Sequence, residues 1–268
     1  MRKMITALAA AMLLVVAAPA ALAQSEEGGQ VTVIHGIPGL TVDVFVNGDA
    51  TLEGFEPGDV AGPLALPAGD YDLAIAPAGA GIDGAVLTGT ATVTDGLNAS
   101  IIANLDADGN PTINIFVNDT SPIAAGESRL VVRHTAAAPE VDILLADGTE
   151  LFTGVSNPQE GQVDVPAGTY DVEIAPAGAG VEGSVFSAAG VELAEGTARI
   201  VYATGSLADG TFGLVIQDIA GLHSAPESVP TGGELAGSGF PFAALIVLGL
   251  AAAALAVTVP TLAARRSR

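Results

Sequence analysis

The chain contains one sentence written twice. Residues 66–81 read LPAGDYDLAIAPAGAG and residues 165–180 read VPAGTYDVEIAPAGAG, identical at twelve of sixteen positions with an offset of 99. The same offset pairs His35 with His134, Val42-Asp43 with Val141-Asp142, Gly84 with Gly183 and Asp119 with Asp218. An offset held over a whole unit means two copies of one domain, with almost no insertion between them. Each copy has about ninety residues, enough for its own core.

Within a copy, short apolar-alternating runs are separated by Gly, Pro, Asp and Asn. In the first copy these runs are 31–35, 41–46, 62–66, 70–76, 85–93, 98–105 and 112–117, and the second copy repeats the series. Seven strands at this spacing predict an all-β fold, two tandem immunoglobulin-like or transthyretin-like β-sandwiches. Pro67-Ala68-Gly69 and Pro166-Ala167-Gly168 are turn chemistry, because proline presets one dihedral and glycine accepts a positive φ. In the strand that follows, Tyr71, Leu73 and Ile75 share a face, as do Tyr170, Val172 and Ile174. Each tyrosine is expected to bury its ring and hydrogen-bond its hydroxyl at the margin of the core.

The ends give the expected placement. Residues 1–23 have the form of a secretory signal peptide: Arg2-Lys3, an apolar run, then Ala21-Leu22-Ala23, with cleavage expected between Ala23 and Gln24. Residues 24–120 and 129–219 are the two sandwiches, joined by 121–128, which is expected to let them stack end to end with limited hinging. Residues 220–239 are rich in Gly, Pro and Ser and are expected to form a flexible stalk. An uncharged stretch from Phe240 runs into a transmembrane helix expected over 240–264, since twenty residues at about 1.5 Å each cover the bilayer core. The basic tail 265–268 stays inside, which puts the sandwiches outside the cell. Just before the apolar stretch, Leu235-Ala236-Gly237-Ser238-Gly239 resembles the L-A-x-T-G signal of some sortases, with serine in place of threonine. Retention in the membrane and attachment to the cell wall are both open on these residues.

Charge narrows the partners. Without the leader and the tail, three arginines (Arg129, Arg133 and Arg199) face thirty carboxylates, a formal charge of 3 − 30 = −27. No lysine or arginine occurs between Gln24 and Ser128. Nucleic acid requires cationic contacts to phosphate and is excluded as a partner. Cysteine is absent, so no disulfide supports the fold.

The opening of each copy carries a family resemblance. Val33-Ile34-His35-Gly36-Ile37-Pro38-Gly39-Leu40-Thr41-Val42-Asp43-Val44 resembles the V-x-H-A-S-P-x-A-P-x-V-D-V opening of the bacterial extracellular domain of unknown function 4397. Val132-Arg133-His134 through Ala138-Pro139-Glu140-Val141-Asp142-Ile143 keeps the His, the Pro-x-Val-Asp end and the spacing, and the L-P-A-G-x-Y segment is also similar. Gly36-Ile37 and Thr135-Ala136 stand where the family has Ala-Ser. The resemblance implies a secreted or surface β domain and carries no established activity.

His35 and His134 are the repeated residues of catalytic type, each eight residues before an aspartate, Asp43 or Asp142. A hydrogen-bonded His–Asp pair bracing the first hairpin of each copy is the expectation. A metal site would need further ligands at matching positions, and the repeat offers none. No G-x-S-x-G elbow is present, so no catalytic residue, metal or cofactor is assigned. Asp106-Ala107-Asp108-Gly109-Asn110 lacks the sixth-position glycine and the final glutamate of an EF-hand loop and reads as a hairpin turn. The expected function is that of a non-catalytic surface protein with a structural or adhesive role, partnered by the membrane and by a cell-wall or surface protein. The alternative is a ligand-binding or sensing module for calcium or a cell-wall glycan.

Overall fold

The computed structural model describes residues 28–223. The expected leader with its Ala23–Gln24 cut, the sorting-like motif Leu235 to Gly239 and the expected membrane helix lie outside the described residues. Among the described residues no helix is long and apolar enough to cross a membrane.

The first copy has eight strands: β1 (Gly28–His35), β2 (Val42–Val46), β3 (Asp49–Phe55), β4 (Val60–Pro67), β5 (Gly69–Pro77), β6 (Leu87–Val93), β7 (Asn98–Leu105) and β8 (Pro111–Val117). The second repeats them as β9 (Glu127–His134), β10 (Val141–Leu145), β11 (Glu150–Val155), β12 (Glu160–Pro166), β13 (Gly168–Pro176), β14 (Phe186–Leu193), β15 (Ala198–Thr204) and β16 (Gly213–Ile219). The all-β expectation holds, with eight strands per copy instead of seven. The additional strands are β3 and β11, whose DATLEGF and ELFTGV sequences lie on sheet edges and are largely exposed. An edge strand that buries little shows little apolar alternation.

Each copy is two four-stranded sheets, one ordered β4-β1-β7-β8 and the other β3-β2-β5-β6, with β12-β9-β15-β16 and β11-β10-β13-β14 as counterparts. β1 runs parallel to β7, and β9 to β15. Between the two sheets of each copy lies an apolar core, around Val42, Val44, Ile75, Leu73 and Ile101 in the first and Val141, Ile143, Ile174 and Val201 in the second. The Pro-Ala-Gly segments carry the chain from one sheet to the other. There the Tyr71 hydroxyl donates to the Pro67 carbonyl (2.8 Å) and that of Tyr170 to Pro166 (2.6 Å), as expected of these tyrosines.

Register corrects two parts of the repeat reading. Asp119 and Asp218 are not equivalent: Val31, Ala99 and Val117 pair across one sheet as Leu130, Arg199 and Asp218 do across the other. The offset has grown by then, through a bulge at Gly190 in β14 (φ 70°), where Asp171 accepts the Gly190 amide at 2.8 Å, and through a longer β15–β16 turn. The end-to-end arrangement with hinging is also not what forms. Ile34 and Ile102 of the first copy pack with Val131, Ile200, Tyr202 and Val215 of the second in one shared core. The β4-β1-β7-β8 sheet and its counterpart therefore lie face to face, and both copies fall in one compact unit. β7, β9 and β15 are buried on both faces, which is why they read as nearly continuous buried runs. The joining segment is tied down as well: Ile123 is fully buried and pairs with His223.

Candidate functional site

His35 and His134 sit at the ends of β1 and β9, both buried. Each ring closes the loop that follows it. The His35 Nε2 lies 2.6 Å from the Leu40 carbonyl and Nδ1 accepts the Ile37 amide at 3.4 Å. His134 does the same with Pro139 (2.9 Å) and Ala136 (3.4 Å). With Nδ1 accepting, the proton is on Nε2 and the ring is neutral. Burial lowers both histidine pKa values, partly offset by the bond to the carbonyl.

The expected His–Asp pairs do not form. Asp43 accepts the amides of Gly54 and Gly79, both at 2.8 Å, and Asp142 those of Gly154 (2.8 Å) and Gly178 (2.6 Å). The physical reason is supply: Gly54 and Gly154 sit at register shifts in the edge strands β3 and β11, Gly79 and Gly178 in the loops after β5 and β13, and all four hold φ between 64° and 78°, which turns their amides towards the carboxylate. The two amides hold the Asp43 carboxyl below its ordinary pKa. Val-Asp and Ala-Pro-Ala-Gly-Ala-Gly, repeated in both copies, are thus two halves of one clasp. Asp106 behaves as a hairpin residue, its carboxylate accepting the amides of Asp108 (2.9 Å) and Asn110 (2.8 Å). Among the described residues no group of three or more His, Cys, Asp or Glu is placed to hold a metal.

The richest side-chain constellation lies between the copies. Arg133, 1% exposed, sets its guanidinium 4.5 Å from the Phe116 ring centre and 5.4 Å from that of Tyr202. It donates to the Tyr202 hydroxyl (2.7 Å) and to Glu160 (2.8 Å). Tyr202 donates to the Gln217 carbonyl oxygen at 2.8 Å, which also accepts from Ser100 of the first copy at 2.8 Å. The Gln217 amide then donates to Thr32 at 3.2 Å. At the other end, Asn157 donates to the carbonyls of Leu105 (2.9 Å) and Ala136 (2.6 Å), and Asn104 to that of Thr135 (3.1 Å). No buried side-chain nitrogen or oxygen lacks a partner among the described residues.

Strand register shows that this contact is where the copies diverge. The facing positions carry Thr32, Ile34, Ser100, Ile102 and Phe116 in the first, and Val131, Arg133, Ile200, Tyr202 and Gln217 in the second. No pair is identical, so each face fits the other copy and not its own duplicate. Comparison of the repeats for identity passes over these residues. An arginine in the apolar run Leu130-Val131-Val132-Arg133 was the available signal.

The other two arginines among the described residues are also engaged. Arg129 makes a two-pronged pair with Asp164 (2.8 and 3.0 Å) and reaches Asp119 at 3.0 Å, tying the joining segment to β12. Hydrogen bonds from Ser121 and Gln162, with Arg129 adding to them, bring the Asp119 pKa down to about 2. Arg199 pairs with Asp218 at 2.9 and 2.8 Å.

No curated protein matches the chain. Among solved structures, a candidate cell adhesion protein from Bacteroides ovatus ATCC 8483 is similar at 11% identity and a TM-score of 0.24, over 70% of this chain and 95% of that one. Residues 29–144, from β1 into β10, match a family description, "Domain of unknown function (DUF4397)". That stretch, with its His35 and Val42-Asp43 opening, carries the match to the DUF4397 family that the resemblance implies.

Proposed function

We propose that the chain is a non-catalytic cell-surface protein whose double sandwich has a structural or adhesive role. In this reading residues 1–23 direct export, 240–264 cross the membrane, 220–239 form the stalk, and each copy is a sandwich of immunoglobulin-like or transthyretin-like type. The observation that carries the reading is the contact between the copies. It spends a buried arginine–aromatic cluster on joining two domains into a single acidic body. A stiff, strongly anionic body is suited to standing off a surface and repelling other anionic surfaces. The partners proposed are the membrane, through 240–264, and a cell-wall or surface protein.

Surface biotinylation of intact cells tests the placement, with a chain ended at residue 239 as control. Labelling of the full chain in the membrane fraction, and release of the shortened chain, is the expected result. Labelling only after lysis overturns it. For the adhesive role, loss of surface attachment on deletion is expected, with recovery when the full chain is restored. A second reading, a ligand-binding module, is favoured by an apolar cleft in the first sandwich; that cleft suits neither calcium nor a glycan.

A further inference from the structure

The first sandwich is open along one edge. A cleft of about 250 Å³ enters between β3 and β4, floored by Val44, Leu73 and Ile101 and flanked by Leu52 and Leu64. Asn47, Asp49, Thr51 and Tyr71 supply its polar groups. Three of these are already tied to backbone: Asn47 accepts the Asp72 amide at 2.9 Å, Tyr71 donates to the Pro67 carbonyl at 2.8 Å and Thr51 to that of Asp49 at 3.2 Å, which leaves the Asp49 carboxylate. A mainly apolar cleft with a few polar groups is the usual form of a small-molecule site.

The second sandwich provides an internal comparison. Phe152 stands opposite Ile143 as Leu52 stands opposite Val44. Its ring lies on Gly161 of β12 so closely that a Cβ there would collide with it, and it packs against the apolar core. Leu151 takes the position of Thr51. The same edge is therefore bridged by an aromatic ring in one copy, whereas in the other it is lined by a smaller Leu and a Thr.

We propose that the cleft of the first copy binds a short aliphatic chain with a cationic head. The volume sets the chain. A methylene group takes about the space of a water, roughly 30 Å³, so the cleft holds about eight carbons. Charge sets the head. Asp49 is at the cleft, and no lysine or arginine occurs from Gln24 to Ser128. An anionic head would meet the carboxylate with nothing to balance it, within the field of a strongly acidic body. The site is independent of whether the protein is displayed at the surface.

The test uses residues 24–225, which contain the compact double sandwich, and titrates octyltrimethylammonium and octanoate below micelle-forming concentrations. Saturable binding of the cation is expected, with leucine-methyl NMR shifts confined to the cleft residues Leu52, Leu64, Leu66 and Leu73. Octanoate is expected to bind at least tenfold more weakly, and Asp49→Asn to narrow that difference. Leu52→Phe, which copies the second repeat, is expected to weaken the cation at least tenfold; Thr51→Leu does the same should Leu52→Phe fail to fold. Absence of saturable binding, equal binding of octanoate, shifts in the second copy, or unchanged affinity in a folded occluding variant overturns the proposal.

Discussion

Arg133 of the second copy lays its guanidinium over the ring of Phe116 in the first, 4.5 Å from its centre, with both halves of the chain closed around it. In register, Arg133 is the counterpart of Ile34, and Phe116 that of Gln217. One ancestral face has become two complementary ones. Two first copies would set Ile34 where Arg133 belongs and leave the polar Ser100 without Gln217. Two second copies would set Gln217 where Phe116 belongs, beneath the Arg133 guanidinium. Pairing within the chain is thus specified by side chains that differ, on backbones that are the same.

Removal of the arginine should expose this dependence. Arg133→Ala leaves Tyr202 and Glu160 without their donor and opens a space beside Phe116. A loss of about 3 kcal/mol is expected, measured by urea unfolding of residues 24–225. Phe116→Ala, on the other copy, should be less than additive with it, because both delete one contact.

A shared core makes the two copies unfold together. Calorimetry of residues 24–225 should give one transition with equal calorimetric and van't Hoff enthalpies. Ile34→Ala, at a site with no exposed surface, should cost about 2–5 kcal/mol and move the whole transition. Two separate transitions would show that the copies are joined only by their connecting segment.

Acid should weaken the fold through the two buried histidines. Burial lowers the His35 and His134 pKa values, so below about pH 6.5 the unfolded chain takes up more protons than the folded one. The contribution of the neutral rings is complete above that pH and is lost as pH falls through the lowered folded values. Melting temperatures should therefore decline between pH 7.5 and 5, and the decline should be shallower in His134→Gln. Asp119, with a pKa of about 2, adds its own loss only at much lower pH, as its stabilisation is present above the ordinary aspartate value of about 3.9 and disappears through 2.

The glycine at the aspartate clasp is a conformational requirement. Gly154 has φ 64° and gives its amide to Asp142. Gly154→Val should cost at least roughly 1–2 kcal/mol, the penalty of a left-handed backbone for a side chain with Cβ, whereas Gly213→Ala, with open space and an ordinary φ, should be near neutral in the same melting experiment.

The duplication, the β class and the tyrosine hydroxyls were legible in the residues because each depends on neighbours a few positions away; the tight turn expected at Pro-Ala-Gly is instead a bend between strands, with Gly168 outside the positive-φ region. Strand alternation is a local property, and repetition doubles its signal. The strands β3 and β11 were not legible, since an exposed edge need not alternate. Nor were the partners of Asp43, one of them 36 residues away at Gly79. Spacing suggested His35 as its partner, but the competition among nearby donors was decided only when the Gly54 and Gly79 amides arrived.

Sequence alone settled what the building block is and that there are two. Tertiary structure decided how they meet. A strand pattern identifies residues that alternate between faces, but it does not say what lies over the second face. For β1, β7, β9 and β15 that cover is the other copy, and the polar side chains that fix it, Ser100 and Gln217, are 117 residues apart.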